Sequence, residues 1–321
     1  MFFSFDSAQS PINNFFGMKH MSENPFLWPM CNKVSYDTNA GFRYAIKNAK
    51  TSEEMQKLHE QYSLWREGEP GRYLKEPVED ELYKYFSHGQ ENPSLPVLLR
   101  GADGPKLAQL TWGFIPNWRS DKPRPDPLTA ADRAKKGLDI GRITWNAASE
   151  TMFDDEKRTW KDSAHDRRCV VFITGYFVYH RVDDKKYPFY IRLKDEDVMA
   201  VAGLWDVATI NEEEYLTCAI LTQEGNEAIK QINDGGEHAG RMPIMLEPKD
   251  FEQWLEPIME GEYDKIDALD KLMNPTPVDE LDIITVALNE DGKIPNSEVA
   301  HEVHVYDDLN IEIEALRKNL K

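Results

Sequence analysis

The sequence predicts an α+β protein: a single domain with a curved, mixed or antiparallel β-sheet and peripheral helices. Three observations carry this. Strand-like segments of mixed spacing recur along most of the chain, helical periods are few and short, and no proline- or glycine-rich linker divides the 321 residues.

In chain order, residues 50–64 read as a helix, with Thr51 or Ser52 as N-cap and acids in the first turn. Residues 95–99 and 107–114 read as strands, broken at Pro116. Residues 121–141 are polar, with three prolines in their first half, and read as a surface insertion with a helical part at 128–136. Residues 168–179 form one long strand pattern. Further strands follow at 187–192, 198–205 and 215–222. Helices are expected at 224–232, 251–255 and 263–272, a late strand at 282–288, and a solvated terminal helix from Tyr306.

Composition narrows the class. Apolar content of 40% and charged content of 30% fit a soluble globular chain. No apolar run is long enough to span a membrane. Residues 1–29 lack a basic n-region and are interrupted by Asp6, Pro11, Asn13 and Asn14, so they do not read as a signal peptide. With no helical or strand period, they read as a disordered leader or as sequence preceding a true start at Met30. Three cysteines, Cys31, Cys169 and Cys218, make no disulfide framework, and a reducing cytoplasm is expected. The net charge of −19 excludes a general nucleic-acid coat. Its distribution is uneven. Residues 241–321 hold 20 acids and 8 bases, whereas residues 101–170 hold 11 acids and 13 bases, so a locally basic surface remains available to an anionic ligand. No metal or cofactor is expected.

Cysteine is where the chemistry concentrates. Cys169 and Cys218 lie inside apolar strand patterns and read as buried small hydrophobes. Cys31 directly follows Met30, and a chain beginning at Cys31 carries two nucleophiles on adjacent carbons. An α-amine titrates near 7.7–8.0, so about a tenth is neutral at pH 7. Such an amine can condense with an aldehyde to an imine, and the thiol can then close a five-membered thiazolidine. That closure is intramolecular and therefore fast. A Met-Cys pair alone carries little weight.

Four further segments add to it: LTWGFIPNW (110–118), NAASET (146–151), GYFVYH (175–180) and HAGRMPIML (238–246). Taken singly, Trp112 and Trp118 are ordinary core residues, Asn146 caps a turn, and His180 and His238 are surface groups. In order, and together with RRC (167–169), AGLW (202–205), ILT (220–222) and FEQWL (251–255), they resemble the SOS-response-associated peptidase (SRAP) family, over roughly residues 31–299. The resemblance implies an SRAP-like domain at 30–304, preceded by the leader and followed by a helical tail at 305–321. It implies an abasic-site processing protein of the DNA damage response, a peptidase or lyase that cross-links covalently to single-stranded DNA through a thiazolidine on Cys31. Asn146 matches the family's catalytic asparagine, and His238 is the nearest match to its histidine. Glu150 matches the acid of the second motif and Arg241 the arginine before Met-Pro. Lys33, Arg100, Arg119, Arg142 and Arg241 are the candidate DNA contacts, with Trp112 or Trp118 as stacking surfaces.

The chain departs from the family pattern in three places. The family's catalytic Glu falls on Val178, which cannot carry a proton. An Arg falls on Ala148, and the histidine position falls on Ala239, with His238 one residue further out and His180 as a second candidate for proton transfer. Two other readings therefore stand beside the cross-linking enzyme. One is a degenerate relative that binds DNA or a protein without chemistry, and the other is a cysteine peptidase acting only on its own leader.

Overall fold

The computed structural model describes residues 32–48, 83–91, 93–101, 104–119, 144–154, 159–210, 213–235 and 239–309. The helix expected at 50–64 and the insertion at 121–141 lie outside them. Twelve strands and five α-helices are formed among the described residues. The strands are β1 (Lys33–Asp37), β2 (Tyr83–His88), β3 (Ser94–Gly101), β4 (Gly104–Trp112), β5 (Asn146–Ala148), β6 (Arg168–Ile173), β7 (Gly175–Val182), β8 (Lys185–Leu193), β9 (Met199–Ile210), β10 (Glu213–Glu224), β11 (Arg241–Pro243) and β12 (Leu281–Thr285). The helices are α1 (Ala40–Asn48), α2 (Lys161–Asp166), α3 (Glu227–Ile232), α4 (Phe251–Leu255) and α5 (Tyr263–Asp270).

The expected single curved sheet is two sheets. One is antiparallel, in the order β12-β8-β7-β1-β2. The other runs β11-β10-β4-β3-β6-β9, and β9 pairs back onto β10, so β10, β4, β3, β6 and β9 close into a small barrel. Closure satisfies the edges that an open curved sheet would leave. Pairing is antiparallel except where β4 and β5 both lie parallel to β10. The chain leaves β4 and returns to β5 at one point, where Phe114 bridges Thr144.

The long strand expected at 168–179 is β6 and β7, broken at Thr174. The apolar run continues through both, which hides the break, yet β6 belongs to the barrel and β7 to the other sheet, and the residues facing the shared core shift from odd positions (169, 171, 173) to even ones (176, 178) across it. Gly175 makes the crossing possible. A Cβ there would come within 2.5 Å of the Tyr190 hydroxyl oxygen. Tyr190 is itself fixed: its hydroxyl donates to Thr174 O (3.1 Å) and lies 3.0 Å from Ser35 Oγ, and its ring stacks on His301 at 4.1 Å. We expect Gly175→Ala to cost about 2–3 kcal/mol by displacing a buried ring from its hydrogen bonds. The fall in the urea midpoint measures it, and a change below about 0.5 kcal/mol would refute the clash.

One buried cluster draws on facing sides of both sheets. It includes Val34, Trp112, Val171, Tyr176, Val178, Phe189, Ile191, Val201 and Ile220, closed by Ala228, Ile229 and Ile232 of α3. Cys169 and Cys218 are fully buried in it, and burial pushes both thiols up. A second cluster packs α1, α2, α4 and α5 against the outer side of the barrel. No helix among the described residues is long and apolar enough to cross a membrane. The terminal helix expected from Tyr306 begins instead as a turn over 306–309; the remaining residues lie outside those described.

Candidate functional site

The first residues of β1 enter a polar cluster. Asn32 is 1% exposed, and its backbone oxygen accepts from Gly89 N (2.8 Å), extending the β1–β2 ladder in which Lys33 faces His88. Lys33 Nζ donates to Asn32 Oδ1 at 2.7 Å and sits over the Tyr179 ring, 5.2 Å from its centroid. Asn32 Nδ2 is 3.1 Å from His88 Nε2. A nitrogen facing an amide donor must present its lone pair, so His88 carries its proton on Nδ1. Burial, reinforced by the Lys33 charge, pushes His88 down to about 3, so the ring is neutral near pH 7. Burial pushes Tyr179 up to about 12.

His88 meets Trp145 edge-on, with centroids 6.2 Å apart. The missing side chain of Gly89 leaves room for that indole: a Cβ there would lie 2.7 Å from it. Trp145 leads into Asn146, which is half-buried at the start of β5 opposite Ile220. Thr222 Oγ1 donates to Ala147 O at 3.2 Å, locking β5 to β10. Across β10, Arg241 forms a fork on Glu150: Nη1 donates to Oε1 at 2.9 Å and Nη2 to Oε2 at 2.7 Å. The same guanidinium donates to Thr222 O at 2.6 Å. Burial alone would raise the Glu150 carboxyl, but the Arg241 hydrogen bonds and charge outweigh it and hold the group below the usual carboxylate range. Asn233, at the end of α3, ties this corner down. Its Nδ2 donates to Arg241 O at 3.0 Å, and its backbone oxygen accepts from Gly240 N at 2.6 Å. The next residue, Asp234, places Oδ2 2.9 Å from His180 Nδ1.

The structure therefore joins Glu150 to Arg241 directly and links the Asn32–Lys33 step to the Trp145–Asn146 step through His88. Trp112 meets this region at the Trp145 backbone. It is fully buried in the barrel, and its Nε1 donates to Trp145 O at 2.8 Å, so its ring offers no face to a base. Trp118 is half-buried in the turn Asn117–Arg119, which is fixed through Asn117 N and Asp206 Oδ2 beside Thr217. That is five strand residues, or ~17 Å, along β10 from Thr222. Arg100 is exposed at the β3–β4 turn. Cys31, Arg142 and His238 lie outside the described residues. Val178 is 3% exposed, on the barrel-facing side of β7 between Tyr176 and His180. Asn32, His88 and Asp234 escaped the sequence reading, while Tyr179 and Thr222 stood inside quoted motifs without being singled out. Among the described residues no group of three or more His, Cys, Asp or Glu is poised to hold a metal.

The fold and the site define an α+β protein with a strand barrel, an added antiparallel sheet and a polar cluster at the start of the first strand. The architecture is shared with a solved protein from Bacteroides thetaiotaomicron, at TM-score 0.60 and 22% identity, over 86% of this chain and 100% of that one. The chain belongs to the SOS response associated peptidase (SRAP) family, whose family model matches residues 30–289. It is 27% identical over 217 residues to the abasic site processing protein YoaM of Bacillus subtilis, covering 64% of this chain and 83% of that protein. It is 28% identical to the abasic site processing protein HMCES of Xenopus tropicalis, covering 66% and 61%. It is 26% identical to the abasic site processing protein YedK of Escherichia coli, covering 48% and 57%.

Proposed function

We propose that this protein captures the ring-opened aldehyde of an abasic site in single-stranded DNA, with Cys31 as the nucleophile. The observation that carries the reading is the polar network just described. Asn32, the residue that follows Cys31 in sequence, is linked through His88 to Trp145, the neighbour of Asn146, although more than a hundred residues separate these segments. Family membership and the names of the relatives support the substrate class. The chemistry balances. The α-amine adds to the aldehyde to give a carbinolamine, which loses water to an imine, and the thiol sulfur then adds to the imine carbon to close a thiazolidine. It requires a free amine at Cys31. In this reading Asn146 orients the sugar or amine by hydrogen bonds. Lys33 and Arg241 supply positive charge for phosphate, and the −19 net charge makes binding steeply salt-dependent.

The test uses protein beginning at Cys31, incubated with single-stranded DNA carrying one abasic site and run on a denaturing gel. A slow band that survives denaturation and is absent with Cys31→Ala is the expected result. No band from folded protein would overturn the reading. It would favour a family member that binds DNA without chemistry, to which the apolar Val178 already points.

A further inference from the structure

One side chain touches the start of β1 and the segment entering β5. His88, the last residue of β2, places Nε2 3.1 Å from Asn32 Nδ2 and meets Trp145, the residue before Asn146, with its ring edge-on. Asn32 in turn is the residue whose backbone nitrogen is bonded to Cys31.

The direction of the Asn32 amide is fixed by its other neighbour. The Lys33 ammonium can only donate, so Asn32 turns Oδ1 toward it at 2.7 Å and presents Nδ2 to His88. Asn32 is 1% exposed, so a lost acceptor would leave a buried N–H unmet. A neutral imidazole with its proton on Nδ1 meets the requirement, whereas an imidazolium would set N–H against N–H. His88 is also well anchored. Its backbone nitrogen donates to Glu91 Oε2 at 3.4 Å, Ser87 Oγ donates to the same oxygen at 3.2 Å, and Gly89 N donates to Asn32 O at 2.8 Å. On the far side, Trp145 O accepts from Trp112 Nε1 at 2.8 Å and from Ile220 N at 3.0 Å, which fixes the backbone leading into Asn146.

We propose that His88 is the positioning residue of this site, holding the strand start that follows Cys31 and the one that carries Asn146 in a single constellation; this deepens the reading above and rests on it. In this role His88 touches no reacting atom. Its hydrogen bond fixes Asn32 and its ring edge fixes Trp145. A misplacement of about 1 Å can cost ~10²-fold in rate even when it arises away from the chemistry, so the effect of His88 falls on the speed of capture.

The experiment measures single-turnover cross-linking at saturating abasic-site DNA for wild type, His88→Phe, His88→Gln and Gly89→Ala, each beginning at Cys31. Phenylalanine keeps a flat ring without the acceptor, and glutamine supplies a carbonyl acceptor without the ring. We expect the folded fraction of His88→Phe to react roughly 10–100-fold more slowly, and His88→Gln to recover most of that loss. Gly89→Ala leaves the hydrogen bond in place but puts a Cβ 2.7 Å from the Trp145 indole, and it should slow the reaction about tenfold. Nitrogen NMR of the wild-type imidazole should show Nδ1 protonated and Nε2 bare at pH 7. In Lys33→Met the midpoint of His88 should rise, because the neighbouring charge that disfavours the imidazolium is gone. Equal rates for wild type and His88→Phe, or a proton on Nε2 at pH 7, would overturn the role of His88 and leave capture by Cys31 standing. An equal loss in His88→Phe and His88→Gln would overturn the part given to the hydrogen bond. If His88→Phe does not fold, Gly89→Ala and the NMR decide: a wild-type rate in Gly89→Ala overturns the proposal. No cross-link from wild type would overturn both this role and the capture reading.

Discussion

Replacing Arg168 with methionine should destabilise the protein by about 3–5 kcal/mol, although the side chain is far from the polar cluster and touches no solvent. Arg168 is 2% exposed at the start of β6. Its guanidinium donates to Trp254 O at 2.7 Å, to His165 O at 3.0 Å, and to Ala164 O and Glu256 O. These carbonyls belong to α2, to the end of α4 and to the residue after it, where helices leave backbone acceptors unmet. Burial pushes the guanidinium down to about 10, still a full cation near neutral pH. It also lies 5.7 Å from the Trp254 ring. Methionine would fill the space and remove the Arg168 donors from Trp254 O, Ala164 O and Glu256 O, while His165 O keeps Ile258 N at 2.8 Å; each lost partner is worth roughly 1–3 kcal/mol and they are not additive. Lysine should recover little, because a single ammonium cannot reproduce the planar fork. Urea unfolding is the measurement; a midpoint within about 0.3 M of wild type would show that the helices supply their own caps.

Val178→Glu should lose about 3 kcal/mol or more at neutral pH. The new carboxyl would project among Tyr176, Phe189 and Ile191 on the barrel-facing side of β7. Burial would raise its folded pKa above the ~4.3 of a free glutamate. The sign follows: below about pH 4 the group is protonated in both states and costs little extra. The penalty grows as pH rises toward the folded pKa and is constant above it. Val178→Gln lacks this pH dependence and is the control. A gain of about a hundredfold in cross-linking would identify Val178 as the point where the site lacks its acid.

The strands that carry the core were readable because they are near-continuous runs of β-branched, aromatic and other apolar residues. β8 and β10 fall within a few residues of their expected spans, and α4 coincides with its span. β1 and β2 were not readable. KVSYD and YKYFSH are short and polar, and their burial comes from neighbours remote in sequence: β1 lies between β2 and β7. The division of residues 168–179 between two sheets follows from where Tyr190 packs, a fact about residue 190 that local pattern cannot hold. Within the site, Asn146, Glu150 and Arg241 were legible as types in motifs. Their pairing was not, and neither was the Asn32–His88 contact, which exists only because β2 returns beside β1. Trp112 misled because tryptophan in a motif reads alike whether it faces a ligand or a core.

The bridge between Phe114 and Thr144 has a consequence for how this chain can be edited. Both flanks are anchored independently, β4 and β5 each lying parallel to β10, so the barrel is already joined on either side of the intervening stretch. The register of β4 and β5 is therefore set by β10 on each side and does not depend on the length of chain between Phe114 and Thr144, so an insertion there should leave both pairings in place.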